Sequence, residues 1–149
     1  MSITADPTTT PAVKATPRPE IIVHDLRPEP KGWTSWITTT DHKKIGIMYL
    51  WTVAVFFLMG GVEALLMRTQ LAVPDNSVLS PEKYNEIMTL HGTTMIFLVI
   101  VPVWAGFANY LLPLMIGARD VAFPRINAWS YWMFLFGGIA LYAYLETLR

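Results

Sequence analysis

The sequence predicts an all-α membrane protein: three transmembrane helices, part of a larger polytopic helical bundle, behind a disordered N-terminal tail. Two observations carry that reading. Of 149 residues, 53% are hydrophobic and only 15% are charged, whereas soluble domains carry about 25% charged residues. The apolar residues are also gathered into three runs, each of the order of the ~20 residues a helix needs to cross ~30 Å of hydrocarbon. Lysine plus arginine equals aspartate plus glutamate at 11 each, so no general cationic field draws in nucleic acid, which is not a predicted partner. The chain has no cysteine, which excludes disulfides, zinc–thiolate sites, iron–sulfur ligation and thiol nucleophiles within it. Three histidines are its strong nitrogen ligands for a transition metal.

Taken in chain order, residues 1–40 are rich in proline and threonine, mixed in charge and free of apolar runs. A flexible tail is expected there. Met1 to Arg18 offers neither the apolar core nor the small-residue cleavage site of a secretory signal, so the tail is expected to stay in the cytoplasm. Ile45 to Met67 is apolar except for Glu63, and Thr40 or Asp41 is placed to cap its start. In the following segment, Ser80, Pro81 and Glu82 supply a cap, a first-turn proline and a first-turn acid. They predict a second helix over about 81–117, longer than a perpendicular crossing needs, with tilt and a bend near Pro102. After the turn ARDVAFPRIN, the run Ala128 to Tyr144 makes the third span, with Trp129, Tyr131 and Trp132 expected as an interfacial belt at its start. Lys31, Lys43 and Lys44 before the first span, and Arg119 and Arg125 in the second loop, outweigh Arg68 and Lys83 among the acids of the first loop. The positive-inside rule therefore puts the N-terminus in the cytoplasm and the first loop outside.

The residue that asks for an explanation is His91, one step inside the run LHGTTMIFLVIVPVW. An ionisable side chain inside a span faces protein, a cavity or a metal. It is either an interfacial histidine bonded to a neighbour or a ligand; Gly92 removes a side chain beside it, and Met95 lies one turn further on the same face. The Gly60–Gly61 pair, with Ala64, reads either as a close helix contact or as room for a macrocycle. His24 and His42 belong to the cytoplasmic side and His91 to the outer side, so they do not share a metal. A second axial ligand for iron at His91 would come from a methionine or from another chain segment.

The stretches TTTDHKKIGIMYL, LLMRTQL, LHGTTMIF, GFANYLLPLMIGARDVAFPRIN and WSYW, in that order and spacing, resemble the N-terminal part of subunit I of haem–copper oxidases of the cytochrome c oxidase type. The resemblance covers Trp36 to about Tyr142 and is specific, because several independent motifs occur in sequence. It implies that His91 is an axial ligand of the low-spin haem, expected to be haem A, that Arg68 hydrogen-bonds the haem formyl group and that Tyr84 lies near a propionate. It implies that the turn GARDVAFPRIN is the mouth of a proton pathway, with Asp120 as the collecting carboxylate and Asn109 and Asn127 ordering water above it. On the residues alone, Arg68 reads as a snorkelling interfacial arginine, Asp120 as a solvated loop acid and Asn127 as a helix cap.

Three departures bear on this. Many relatives have a glutamate at Gln70, associated with an outer sodium or calcium site, so that metal is not predicted. Glu63 sits within helix one without a role fixed by spacing. The sequence stops at LETLR, where the family continues with the second axial histidine, the copper ligands and the high-spin haem ligand. The expectation is thus the N-terminal portion of a respiratory terminal oxidase in a bacterial plasma membrane, with no catalytic residue of its own and inactive by itself. Its partners would be the rest of subunit I, other oxidase subunits, membrane lipid, oxygen, and cytochrome c or quinol as electron donor; copper and a second haem would be held elsewhere. The rival readings are a small membrane electron-transfer cytochrome, with Met59 or Met67 completing the axial pair, and a cofactor-free membrane or assembly protein.

Overall fold

A computed structural model describes residues 32–147. The tail expected over 1–40 lies outside them as far as residue 31; its last part holds a one-turn helix, α1 (Thr34–Ile37). Three long helical segments follow: α2 (His42–Gln70); a second made of α3 (Pro81–Thr93), a π-helical stretch (Thr94–Ile100) and α4 (Val101–Met115); and α5 (Pro124–Thr147). The first two, 29 and 35 residues long, are long and apolar enough to cross a membrane.

Local chemistry sets the ends. Asp41 caps α2 by accepting from the Lys43 N–H at 3.0 Å, and Ser80 accepts from the Lys83 N–H ahead of Pro81 in the first turn of α3, satisfying donors that a helix start leaves open. Gly117, with φ of 68°, takes the left-handed conformation that stops the second segment. The third helix starts earlier than its apolar run, at Pro124, so Arg125 and Asn127 lie in its first turns and not in the loop; Pro124 suits a first turn because its missing N–H is one no helix start would use.

The π-helical stretch stands where a bend near Pro102 was expected. The Val101 N–H reaches back five residues to Ile96, and Pro102 next to it has no N–H to give. The widened turn has a purpose in packing. Thr94, Leu98, Pro102 and Gly106 are all buried, at steps of four residues. In an α-helix of 3.6 residues per turn, three such steps drift by roughly 120°, off any single face; a wider turn keeps them together.

α2 is the shared partner of the other helices. Val53 and Phe56 pack with Leu98 and Val99 in one core cluster, and Ile45 and Tyr49 pack with Tyr131 in a second. Tyr131 is therefore a core residue and not part of an interfacial belt: it is 6% exposed, its ring meets Tyr49 edge-on at 5.2 Å, and its hydroxyl pairs with Thr52 at 2.9 Å. Trp129 does face outward. The closest backbone approach is at Gly46, where an added Cβ would lie 2.9 Å from the Gly106 carbonyl oxygen and 3.1 Å from the Tyr110 nitrogen. Gly60 also takes a neighbour, the Met95 sulfur, whereas Gly61 has nothing within 4 Å. Outside the core, Trp51, Leu58, Trp104 and Met115 are mostly exposed, an apolar outer surface suited to lipid or further helices rather than to water.

The loop after α2 is held by one side chain. Gln70 donates from Nε2 to the Asn76 carbonyl at 2.5 Å and accepts the Leu79 N–H at 2.6 Å, while Asn76 Nδ2 donates back to the Thr69 carbonyl at 2.8 Å. A glutamate cannot make the first bond. Gln70→Glu is expected to destabilise this loop by about 0.5–1.5 kcal/mol, the net worth of a hydrogen bond lost at a half-buried site, seen as faster amide exchange over residues 71–80.

Candidate functional site

At one end of the bundle the His91 ring reaches from α3 to α2, and its Nδ1 lies 2.9 Å from the Gly60 carbonyl oxygen. A carbonyl only accepts, so Nδ1 carries a hydrogen and donates it to Gly60, and Nε2 is the ring nitrogen left for another partner. Nε2 has no hydrogen-bond partner among the described residues. The ring is half-buried, and Gly92 next to it leaves open space, with nothing within 4 Å of where its Cβ would be. A ring oriented through one nitrogen, with the other left without a partner among the described residues, is the usual arrangement of a metal-ligating histidine, so the residues present fit an axial haem ligand.

His42 is wired alike at the other end. Its Nδ1 donates to the Asn109 carbonyl at 2.8 Å, but it is only 2% exposed and cannot offer its other nitrogen to a large planar ligand. From His42 to Gly60 is 18 residues of α2, roughly 27 Å at an α-helical rise. The two histidines belong to separate places.

The other residues expected around His91 are not joined to it. Arg68 is exposed in the last turn of α2 and Tyr84 is half-buried in the first turns of α3, and no described hydrogen bond links either to the histidine. Met59 lines the groove between α2 and α5, beside Phe56, Leu135 and Tyr142.

Near His42 lie the residues expected to handle protons. Asp120 is exposed in the turn between α4 and α5, accepting the Val121 N–H at 2.8 Å. Asn109 turns its amide onto its own helix, donating to Ala105 at 2.9 Å. The Asn127 amide nitrogen is buried with no partner among the described residues, a donor left free inside the bundle. The structure adds three residues without a place in the sequence reading, Ser130, Tyr49 and Thr52. Ser130 donates to the Asn127 carbonyl at 2.7 Å and pairs with the Tyr49 hydroxyl at 3.1 Å; the next residue, Tyr131, pairs with Thr52. Ser130 and Tyr131 on α5 thus meet Tyr49 and Thr52 on α2, with Asn127 three and four residues before them, spacings that put polar groups on one helix face. That spacing was the available signal.

A third polar group joins all three long segments close to His91. Tyr142 donates to Glu63 Oε1 at 2.9 Å, and its oxygen lies 2.8 Å from the Thr94 hydroxyl. Glu63 is 7% exposed and Thr94 fully buried.

Residues 44–147 match the family model described as cytochrome c and quinol oxidase polypeptide I. The chain is 56% identical over 106 residues to a cytochrome c oxidase subunit 1 of Bacillus subtilis, covering 71% of this chain and 17% of that protein. It is 56% identical over 112 residues to the subunit 1 of Synechocystis sp., covering 74% and 20%, and 48% identical over 134 residues to that of Corynebacterium efficiens, covering 85% and 23%. The chain thus spans about a fifth of the length of these curated relatives.

Proposed function

The chain belongs to the cytochrome c and quinol oxidase polypeptide I family, and from that premise we propose that it serves as the N-terminal part of a respiratory terminal oxidase. In the whole enzyme, electrons from cytochrome c or quinol would pass by a low-spin haem to a haem–copper centre, oxygen would be reduced to water, and protons would cross a bacterial plasma membrane. The observation that carries this reading is the His91 bond to the Gly60 carbonyl at 2.9 Å, which orients the ring and leaves Nε2 for another ligand.

Haem, when bound at His91, supplies one-electron transfer at a potential tuned by its axial ligands and surroundings. The protein's part is orientation and charge. His91 would hold the iron; Arg68, at the same end of the bundle as His91, would supply a cation for the polar edge of the macrocycle, and Tyr84 a polar group for its propionates. The described residues contain no group of three or more histidine, cysteine, aspartate or glutamate side chains able to hold a metal ion, and the whole chain has three histidines. In this reading the ligands of copper and of the second haem belong to other parts of the subunit, and we expect no oxygen reduction from these residues alone.

At the opposite end, with the N-terminus in the cytoplasm, Asp120 collects protons from water and the seam of Asn109, Asn127, Ser130 and Tyr49 leads them inward. Its support is the free Asn127 amide and the Ser130–Tyr49 contact above it, polar atoms able to order water between helices. In the assembled oxidase, Asp120→Asn is expected to slow proton uptake roughly tenfold or more with haem content intact, measured by pH-indicator flow-flash kinetics. Wild-type turnover and an unaltered pumping ratio would refute the pathway.

The proposal as a whole is tested by the optical spectrum of the assembled oxidase: its low-spin haem band must depend on His91.

A further inference from the structure

We propose that Glu63, Tyr142 and Thr94 form a hydrogen-bonded brace that sets the rotation of the His91 ring, making them positioning residues for the axial ligand. The inference rests on the haem-ligand reading of His91.

Proton accounting gives the brace a direction. Tyr142 has one hydroxyl hydrogen and gives it to Glu63 Oε1 at 2.9 Å. The Thr94 hydroxyl, 2.8 Å from the same oxygen, must then be the donor of its own contact. A chain runs from Thr94 O–H to Tyr142 O–H to the Glu63 carboxyl, and it ties the second helical segment to α5 and α2 through one oxygen atom.

Thr94 is the lever. It is the first residue of the π-helical stretch, and its N–H bonds the carbonyls of His91 and Leu90, so it stacks directly on the turn that carries the ligand. Its methyl group lies 3.5 Å from the Cβ position of Gly60, the residue whose carbonyl holds His91 Nδ1. Thr94 therefore adjoins both of the residues whose bond orients the ring. A wide turn lacks the tight ladder that fixes an α-helix by itself, and side-chain anchorage at its start replaces that restraint.

Tyr142 is held in turn. Its ring stacks on Phe56 at 6.0 Å with 18° between planes, and Phe56 enters the space left by Gly138, where an added Cβ would lie 2.5 Å from the Phe56 ring. Glu63 reaches the site from three residues beyond Gly60 on α2. Its Oε1 takes the bond and its Oε2 has no partner among the described residues, so what the brace needs from residue 63 is one acceptor oxygen. An amide would supply it.

The test uses the assembled oxidase and reads the low-spin haem by electron paramagnetic resonance, whose g values follow axial ligand orientation, alongside haem content and midpoint potential. Tyr142→Phe removes a hydroxyl and no charge. It is expected to retain full low-spin haem content while shifting the g values and the midpoint potential. Glu63→Leu is expected to shift the g values in the same way, and Glu63→Gln to keep them at wild type, the potential alone moving with any lost charge. If Tyr142→Phe does not assemble, Thr94→Val removes the first donor of the chain and carries the same expectation. Wild-type g values in Tyr142→Phe, or in Thr94→Val where that variant stands in, would overturn the brace and leave haem ligation untouched, as would a Glu63→Gln protein shifted as far as Glu63→Leu. Persistence of the low-spin signal in His91→Ala would instead overturn the ligand reading itself.

Discussion

His91→Ala in the full-length subunit is expected to abolish the low-spin haem absorption band while leaving the protein able to insert in the membrane. The substitution removes a ring that is oriented by its Nδ1 bond to Gly60 and whose Nε2 has no hydrogen-bond partner among the described residues. It also removes one hydrogen bond between α3 and α2, the Gly60 carbonyl keeping its place in the ladder of its own helix, at a cost of about 0.5–1.5 kcal/mol. That second effect loosens α3 against α2 but does not displace the cores built on Val53, Phe56, Leu98 and Val99, so the subunit should still be recovered from membranes. Reduced-minus-oxidised spectra and extracted haem per subunit separate the two effects. A retained band at wild-type amplitude would remove the basis of the oxidase reading of this residue.

Gly46→Val is expected to prevent the bundle from closing. At this position the obstacles are backbone atoms, the Gly106 oxygen at 2.9 Å and the Tyr110 nitrogen at 3.1 Å from an ideal Cβ, and no rotamer change can move them. The helices must part, which also breaks the His42 bond to Asn109 three residues further along the same face. Overpacking of this kind costs about 1–3 kcal/mol, and valine should lie at or beyond the top of that range, with Gly46→Ala less damaging. Thermal unfolding of the detergent-solubilised subunit, followed by loss of haem absorbance, measures the series. A Gly46→Val protein with wild-type thermal stability would show that α2 and α4 do not approach so closely.

How much of this was legible in the sequence depends on where each signal resides. Long helices announce themselves by length and composition, and the Ser80–Pro81 start is written in the side chains that make the cap. The apolar run places the start of α5 late because Arg125 looks like a loop residue and Asn127 like a cap, although Pro124 is the better marker. The π-helical turn was invisible to a search for a 3.6-residue period, since burial at four-residue steps imitates a weak α-helical face. Tyr131 was assigned to an interface because an aromatic residue with a polar tip suits either place; only its partner Thr52, 79 residues away, decides.

The site divides in the same way. His91 stands out because imidazole is rare in an apolar run, but its orienting partner is a backbone carbonyl, which has no signature in sequence. Glu63 was conspicuous and left without a role, because its partner Tyr142 is 79 residues distant and reads as one more aromatic in the third span. Gly60–Gly61 was taken as a unit, yet only Gly60 meets a neighbour, and the tighter approach is at Gly46. Neither distinction exists until helices are placed side by side.

The wide turn at Thr94–Ile100 also determines where this helix tolerates a change of length. Loss of one residue there lets the coil tighten to ordinary α-helix while the segments before and after keep their bearing. The same deletion elsewhere between Pro81 and Met115 would swing everything beyond it by about 100°, carrying Asn109 away from His42 and the His42 end of the bundle out of alignment with the His91 end. Among homologous chains, single-residue gaps in this helix belong within those seven positions.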